Sequence, residues 1–229
     1  MKPDFQTETI ELLVAARKIA DFAKSEGIRE GSGTRFRERY THLGAVLADS
    51  ILQAGVRYTS VVLPRVNRIL VAYPNASTVV PLASIVQEGR ASEFLDWRHP
   101  VKTDRFERLV CFISEIGITD VEDLRSCLLT EQFCSELQCL NGVGPKTVDY
   151  MSCLVGIDAI AVDRHVRAFA ANSGVHDYNY KFLRDAFCFA ADLLTISRRE
   201  FDAWLWRRAS GSDAGQIAFS FGEANAMRT

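Results

Sequence analysis

Apolar residues recur at intervals of three and four along nearly the whole chain, and nowhere do they settle into sustained alternation. The series runs Leu12, Ala15, Ile19, Phe22; Leu43, Leu47, Ile51, Ala54; Val62, Val66, Ile69, Leu70; and Phe106, Leu109, Val110, Ile113. It continues with Val121, Leu124, Leu128; Phe133, Leu137, Leu140; Val148, Met151, Val155; Val166, Phe169, Ala170; and Phe201, Trp204, Leu205. Residues so spaced share one face of an α-helix, whereas a half-buried strand needs period two. The pattern predicts about ten helices and an all-α protein. Thr119 followed by Glu122 reads as a capping box that opens the helix at Val121. Pro64 fits a first helical turn begun near Thr59 or Ser60, where a missing N–H matters little. From Ser210 onward the period is lost, and Phe219 and Phe221 are the residues able to dock that tail. No repeat of fixed period and no low-complexity linker divides the chain.

With 229 residues, 48% of them hydrophobic, the chain can bury one large core or two small ones. No stretch approaches the ~18 apolar residues of a membrane span, and the opening "MKPDFQTETIELL" lacks the apolar core of a signal peptide. An intracellular protein is expected, cytoplasmic and nucleoid-associated or nuclear. Six cysteines without a CxxC pair or finger-like spacing read as reduced core thiols rather than metal ligands. A net charge of −2 gives no global attraction to nucleic acid, so any such site must be a local patch.

One short stretch departs from the helical pattern. "CLNGVGPKTVDYM", residues 139–151, places Gly142, Gly144 and Pro145 between two helical segments, roughly Thr130 to Leu140 and Pro145 onward. The glycines permit backbone angles and close approaches that a Cβ forbids. Proline suits the first helical position, so the N–H groups just after the turn face outward at a helix N-terminus. That is an anion site, and a DNA phosphate is a natural guest for Gly142, Val143, Gly144, Pro145 and Thr147. A tight helical hairpin with nothing bound satisfies the same spacing.

Lys146 follows at once, in a first helical turn where the dipole disfavours a cation. It serves either as a phosphate contact or, with its amine pKa lowered, as a nucleophile. Seventeen residues later, "AIAVDRHVRAF" places Asp163 as the N-cap of another helix, and one helix with a short return segment separates the two.

"LNGVGPKTVDYM" followed by "AVDRHV" resembles the helix-hairpin-helix (HhH-GPD) DNA glycosylase superfamily. The resemblance implies two helical domains, a central one at 43–156 and a second built from 1–42 plus 157–229, with double-stranded damaged DNA in a cleft between them and the damaged nucleotide flipped out. It makes Lys146 the nucleophile at the sugar C1′ and Asp163 the carboxylate that stabilises positive charge on the sugar and helps deprotonate the amine. The resulting imine undergoes β-elimination, so a lysine at this position implies a glycosylase that is also an abasic-site lyase. Family members that only remove bases generally carry another residue there. Gln53, in "ILQAGVRYTS", is similar to the glutamine with which the endonuclease III branch fills the gap left by the flipped base. An ordinary solvated helix-end glutamine is the alternative, and Arg57 and Tyr58 beside it stand under the same choice.

Other residues carry weaker signals. His165 reads as structural. Arg35, Arg37 and Arg39, or Arg207 and Arg208, are candidate basic patches, and Trp97, Trp204 and Trp206 read as packing residues. The endonuclease III branch usually has four clustered C-terminal cysteines. Here Cys188 alone follows Asp163, and "FDAWLWRRASG" reaches Ala209, Ser210 and Gly211 where the first would stand, so no iron–sulfur cluster is expected. A clusterless branch fits better, and "VDRHV" with a tryptophan-bearing terminal helix resembles the small archaeal-type 8-oxoguanine glycosylases. The resemblance calls for no redox or organic cofactor, suggests a monovalent cation on the hairpin carbonyls, and fits a monomer acting on an oxidised or otherwise damaged base. Two alternatives stay open: a non-catalytic hairpin module that grips DNA backbone, and a monofunctional glycosylase in which Lys146 binds phosphate.

Overall fold

The computed structural model describes residues 5–29, 39–176 and 178–209, which form twelve α-helices with no strand among them. They are α1 (Phe5–Ser25), α2 (Leu43–Leu52), α3 (Leu63–Ala72), α4 (Val79–Gln87), α5 (Ala91–Leu95), α6 (Pro100–Glu115), α7 (Val121–Cys127), α8 (Glu131–Gln138), α9 (Pro145–Leu154), α10 (Arg164–Asn172), α11 (Tyr180–Leu194) and α12 (Arg198–Ala209). The all-α expectation holds. α4, α5 and α11 lie outside the apolar series read from the sequence. α4 and α5 span nine and five residues, too short to display much periodicity. α11 is longer, and its buried Phe182, Leu183, Ala186, Phe187, Ala190, Ala191 and Leu194 do keep helical spacing.

Packing divides the chain into two units, residues 39–157 and residues 1–38 with 158–229. In the first, every residue of α2 is buried, Asp49 and Ser50 included. α3, α4, α6 and α9 pack around it. Phe94 of α5 and Phe106 of α6 stack at 5.4 Å, with Tyr73 edge-on to Phe94 at 4.9 Å. His42 caps α2: its Nδ1 accepts from the Ala45 N–H at 3.1 Å while Nε2 meets the Tyr73 carbonyl at 2.9 Å. Burial holds the His42 pKa below its usual 6.5, outweighing the opposing pull of those backbone bonds.

Two expected helix starts shift. A single π-helical turn, Tyr58–Val62, occupies the place where α3 was expected to begin, and Pro64 is the second residue of α3 proper. α7 is capped by Asp120, whose carboxylate accepts from the Glu122 and Asp123 N–H groups at 2.9 and 3.1 Å, rather than by Thr119. Thr119 instead donates its N–H to Asp123 at 3.0 Å, and its hydroxyl bonds the same carboxylate.

In the second unit, α1 packs along α11, and α12 packs on α10 and α11. Its core is aromatic. Phe169 lies 4.9 Å from Phe22, 5.6 Å from Trp204 and 6.4 Å from Phe201, and Phe187 reaches Phe201 at 5.6 Å. Arg208 is ion-paired with Glu26, and in the first unit Arg39 is paired with Glu122 at 3.0 Å, so neither stands as a bare cation. Arg35 and Arg37, and the tail with Ser210, Gly211, Phe219 and Phe221, lie outside the described residues.

The cysteines correct an expectation. All six are free thiols, but none is fully buried; Cys111 and Cys139 are exposed and the others half-buried. Apolar spacing put them near the core, and they sit on the margins of the buried stripes. No helix among the described residues is long and apolar enough to cross a membrane.

Candidate functional site

α8 ends at Gln138 and α9 begins at Pro145, its first helical residue, so the hairpin is the connection between them. The turn closes through the Val143 N–H on the Leu140 carbonyl at 3.0 Å. Its two glycines differ. Gly142 has φ +85°, which side chains rarely adopt, and the Arg105 side chain occupies the space where a Cβ would stand. Gly144 has φ −101° and ψ 178°, extended backbone open to any residue, and a Cβ there would meet nothing within 4 Å. The fold of the turn therefore explains Gly142 but leaves Gly144 unexplained. No side chain caps α9, and the Gly144 carbonyl accepts from the Thr147 N–H at 2.9 Å. Val143 and Thr147 are packed inward, so their side chains do not face a ligand at the turn.

Lys146 and Gln53 meet. The lysine Nζ donates to Gln53 Oε1 at 2.6 Å, joining residues 93 apart in sequence. Gln53 is the C-cap of α2, with its N–H on the Asp49 carbonyl at 3.1 Å. A cation misplaced at the N-terminus of α9 is thus well placed at the C-terminus of α2, where the last carbonyls present negative charge. The same two helices carry a second bond one turn deeper, from the Tyr150 hydroxyl to Asp49 at 2.9 Å. Asp49 and Gln53 are four residues apart on α2 and its cap, as are Lys146 and Tyr150 on α9. The helices run antiparallel here, joined by two polar rungs.

α6 supports the Gln53 end. Lys102 Nζ donates to the Leu52 carbonyl at 2.6 Å and the Ala54 carbonyl at 2.7 Å, bracketing Gln53, and lies 4.7 Å from the centre of the Trp97 ring. Burial, aided by the neighbouring charge of Arg105, pushes the Lys102 amine down to about 8. Arg65 lies 5.3 Å from the centre of the same ring. Three buried donors in this part of the unit, Gln53 Nε2, Trp97 Nε1 and Arg105 Nε, have no hydrogen-bond partner among the described residues. A buried donor without a partner costs about 1–3 kcal/mol, so Gln53 is held by one end only.

Asp163 belongs to the other unit and is the N-cap of α10, as read from the sequence. Its Oδ1 accepts from the His165 N–H at 2.7 Å and the Val166 N–H at 3.0 Å, so the cap uses one carboxylate oxygen and not the other. The His165 ring takes a bond from Arg164 Nε at 3.3 Å.

Sequence reasoning passed over Asp49, Tyr40, Tyr150, Lys102 and Arg105. A signal existed for Lys102, which stands in the first turn of α6 just as Lys146 stands in the first turn of α9. Asp49 had none, because its partners lie on three separate segments, before α2, after it and on α9. Among the described residues no three His, Cys, Asp or Glu side chains gather as a metal site. Comparison of the chain with known protein families, with curated proteins and with solved structures returned no match.

Proposed function

We propose that this protein is a base-excision DNA glycosylase with abasic-site lyase activity, acting on double-stranded DNA that carries an oxidised or otherwise damaged base. Lys146 Nζ attacks C1′ of the damaged nucleotide; the C1′–N bond breaks and its electron pair leaves with the base. After the neutral amine has attacked, the base takes up a proton as it departs and Nζ gives up one; O4′ is protonated as the sugar ring opens to the protonated imine, and removal of a 2′ proton then expels the 3′ phosphate. Asp163 is the carboxylate that offsets positive charge developing on the sugar. A monovalent cation on the hairpin carbonyls remains part of this reading, as does action as a monomer.

The observation that carries the reading is the 2.6 Å bond between Lys146 and Gln53. The family resemblance assigns one residue as nucleophile, from the hairpin motif, and the other as gap-filler, from the α2 helix end, and these two segments 93 residues apart meet in this bond. A nucleophile and the group that replaces an extruded base must work on the same nucleotide. Gly144 adds support, since a position with no internal need for glycine suits close approach of an outside group such as a phosphate.

The test is product analysis on duplexes carrying single oxidised purines or pyrimidines. Strand cleavage without alkali on at least one duplex is the expected result. Cleavage that needs hot alkali makes the protein a monofunctional glycosylase, and binding without any excision makes it a hairpin module that only grips DNA.

A further inference from the structure

We infer that Asp49 is a positioning residue for Lys146, setting the register of α9 against α2 at which the amine meets Gln53; this rests on the reading of Lys146 as nucleophile. Asp49 is 0% exposed, in a helix whose residues are all buried. A carboxylate in such a place is costly unless well hydrogen-bonded, and an apolar residue of similar size serves stability as well or better. Its presence calls for a reason other than stability.

Its partners supply one. Asp49 accepts from the hydroxyls of Tyr150 at 2.9 Å, Tyr40 at 3.0 Å and Tyr58 at 3.1 Å. These tyrosines come from three segments: α9 itself, the strand of chain leading into α2, and the π-turn that follows Gln53. The loop from Gln53 to Arg57 is therefore tied to one residue at both ends, by the Gln53 N–H on the Asp49 main-chain carbonyl and by the Tyr58 hydroxyl on the Asp49 carboxylate. The Asp49–Tyr150 bond is the inner rung of the ladder whose outer rung is Gln53–Lys146. Rotation or sliding of α9 by a fraction of a turn breaks the inner rung and carries Nζ away from Gln53. Tyr40 adds a third tie, since its N–H also bonds the Leu154 carbonyl at the far end of α9 at 3.0 Å. Tyr58 is the first residue of the π-helical turn, and single π-helical turns often mark functional positions.

The test uses two variants, Tyr150→Phe, which removes one hydroxyl, and Asp49→Asn, which removes the charge with little change of shape. Each is read in two ways. The free protein is treated with formaldehyde and cyanoborohydride, and methylation of each lysine is followed by mass spectrometry with exposed Lys24 as internal standard. Both variants should label Lys146 several-fold faster than wild type while Lys24 is unchanged. In single-turnover borohydride trapping on a duplex with an abasic site, the rate constant should fall roughly 10- to 100-fold, the scale set by small displacements of a reacting group. A role in stability alone would instead lower the amplitude, by reducing the folded fraction, and leave the rate constant of the remaining molecules unchanged. Unchanged Lys146 labelling in both variants overturns the inference. If wild type never traps, the catalytic reading fails, and the labelling experiment still decides whether Asp49 places Lys146.

Discussion

The interiors of the two units differ in kind. Residues 39–157 bury His42, Asp49, Ser50, Thr147 and Ser152, whereas the described part of the other unit buries Glu200 and otherwise packs Phe169, Phe187, Phe201, Leu205 and their neighbours against one another. Aromatic cores are held by area and by ring geometry, and they tolerate small shifts at modest cost. Polar groups in a core are held by direction, because each must find its partner at a fixed distance. The unit that buries these polar groups within its apolar core is also the one in which Lys146, Gln53, Lys102 and the hairpin come together. Burial of polar groups there trades stability for fixed placement, and the aromatic unit carries Asp163 on a helix cap at the edge of a conventional core.

That contrast makes separable predictions. The largest effect on stability belongs to the aromatic unit: Phe187→Ala, removing a ring that is 0% exposed, should cost about 3–5 kcal/mol in urea unfolding. A cost under 1 kcal/mol would mean that this core is looser than its ring contacts indicate. Asp163 should split cap from chemistry. Asp163→Ala should lose about 0.5–2 kcal/mol through the missing cap, while Asp163→Asn keeps a good capping residue, retains stability, and loses excision of a damaged base. Equal excision by Asp163→Asn and wild type would remove the carboxylate from the mechanism.

His42 provides a pH signature for the polar unit. Its folded pKa lies below 6.5, so the unfolded chain takes up the proton first as pH falls. The stability it contributes is complete above about 6.5 and is lost as pH drops toward the lowered folded value. Between pH of about 7.5 and 5.5 the melting temperature of wild type should therefore fall further than that of His42→Asn, which keeps a capping acceptor without titrating. Parallel falls would show that His42 is not a source of acid sensitivity. The smallest expected change in stability is at Gly144. Gly144→Ala should alter it by less than ~0.5 kcal/mol, since nothing stands within reach of the new methyl, yet should weaken binding to duplex DNA. Unaltered DNA binding would leave that glycine without a role.

What the sequence revealed was local. Pro145 at the head of α9 and Asp163 as a cap follow from residue chemistry within one turn, and both are found where that chemistry puts them. At α7 the spacing of Thr119 and Glu122 satisfies the capping-box pattern, but the adjacent Asp120 takes the cap and Thr119 donates to Asp123, a choice between neighbouring capping residues that pattern alone does not rank. The cysteines were drawn into the core by apolar spacing that a half-buried position satisfies equally well. Asp49 was illegible: its bonds to Tyr40, Tyr58 and Tyr150 span nine, nine and 101 positions, and a single acidic residue in an apolar helix carries no mark of its partners. The pairing of Lys146 with Gln53 was half legible, since each residue was noticed and only the packing of α9 on α2 joins them.

The central claim is that Lys146 forms a covalent imine with DNA. It is tested most directly by borohydride trapping on a duplex oligonucleotide with an abasic site, comparing wild type with Lys146→Gln. The account predicts a protein–DNA adduct with wild type and none with the variant. A wild type that binds the duplex but never traps, or a Lys146→Gln protein that traps as well as wild type, would contradict it.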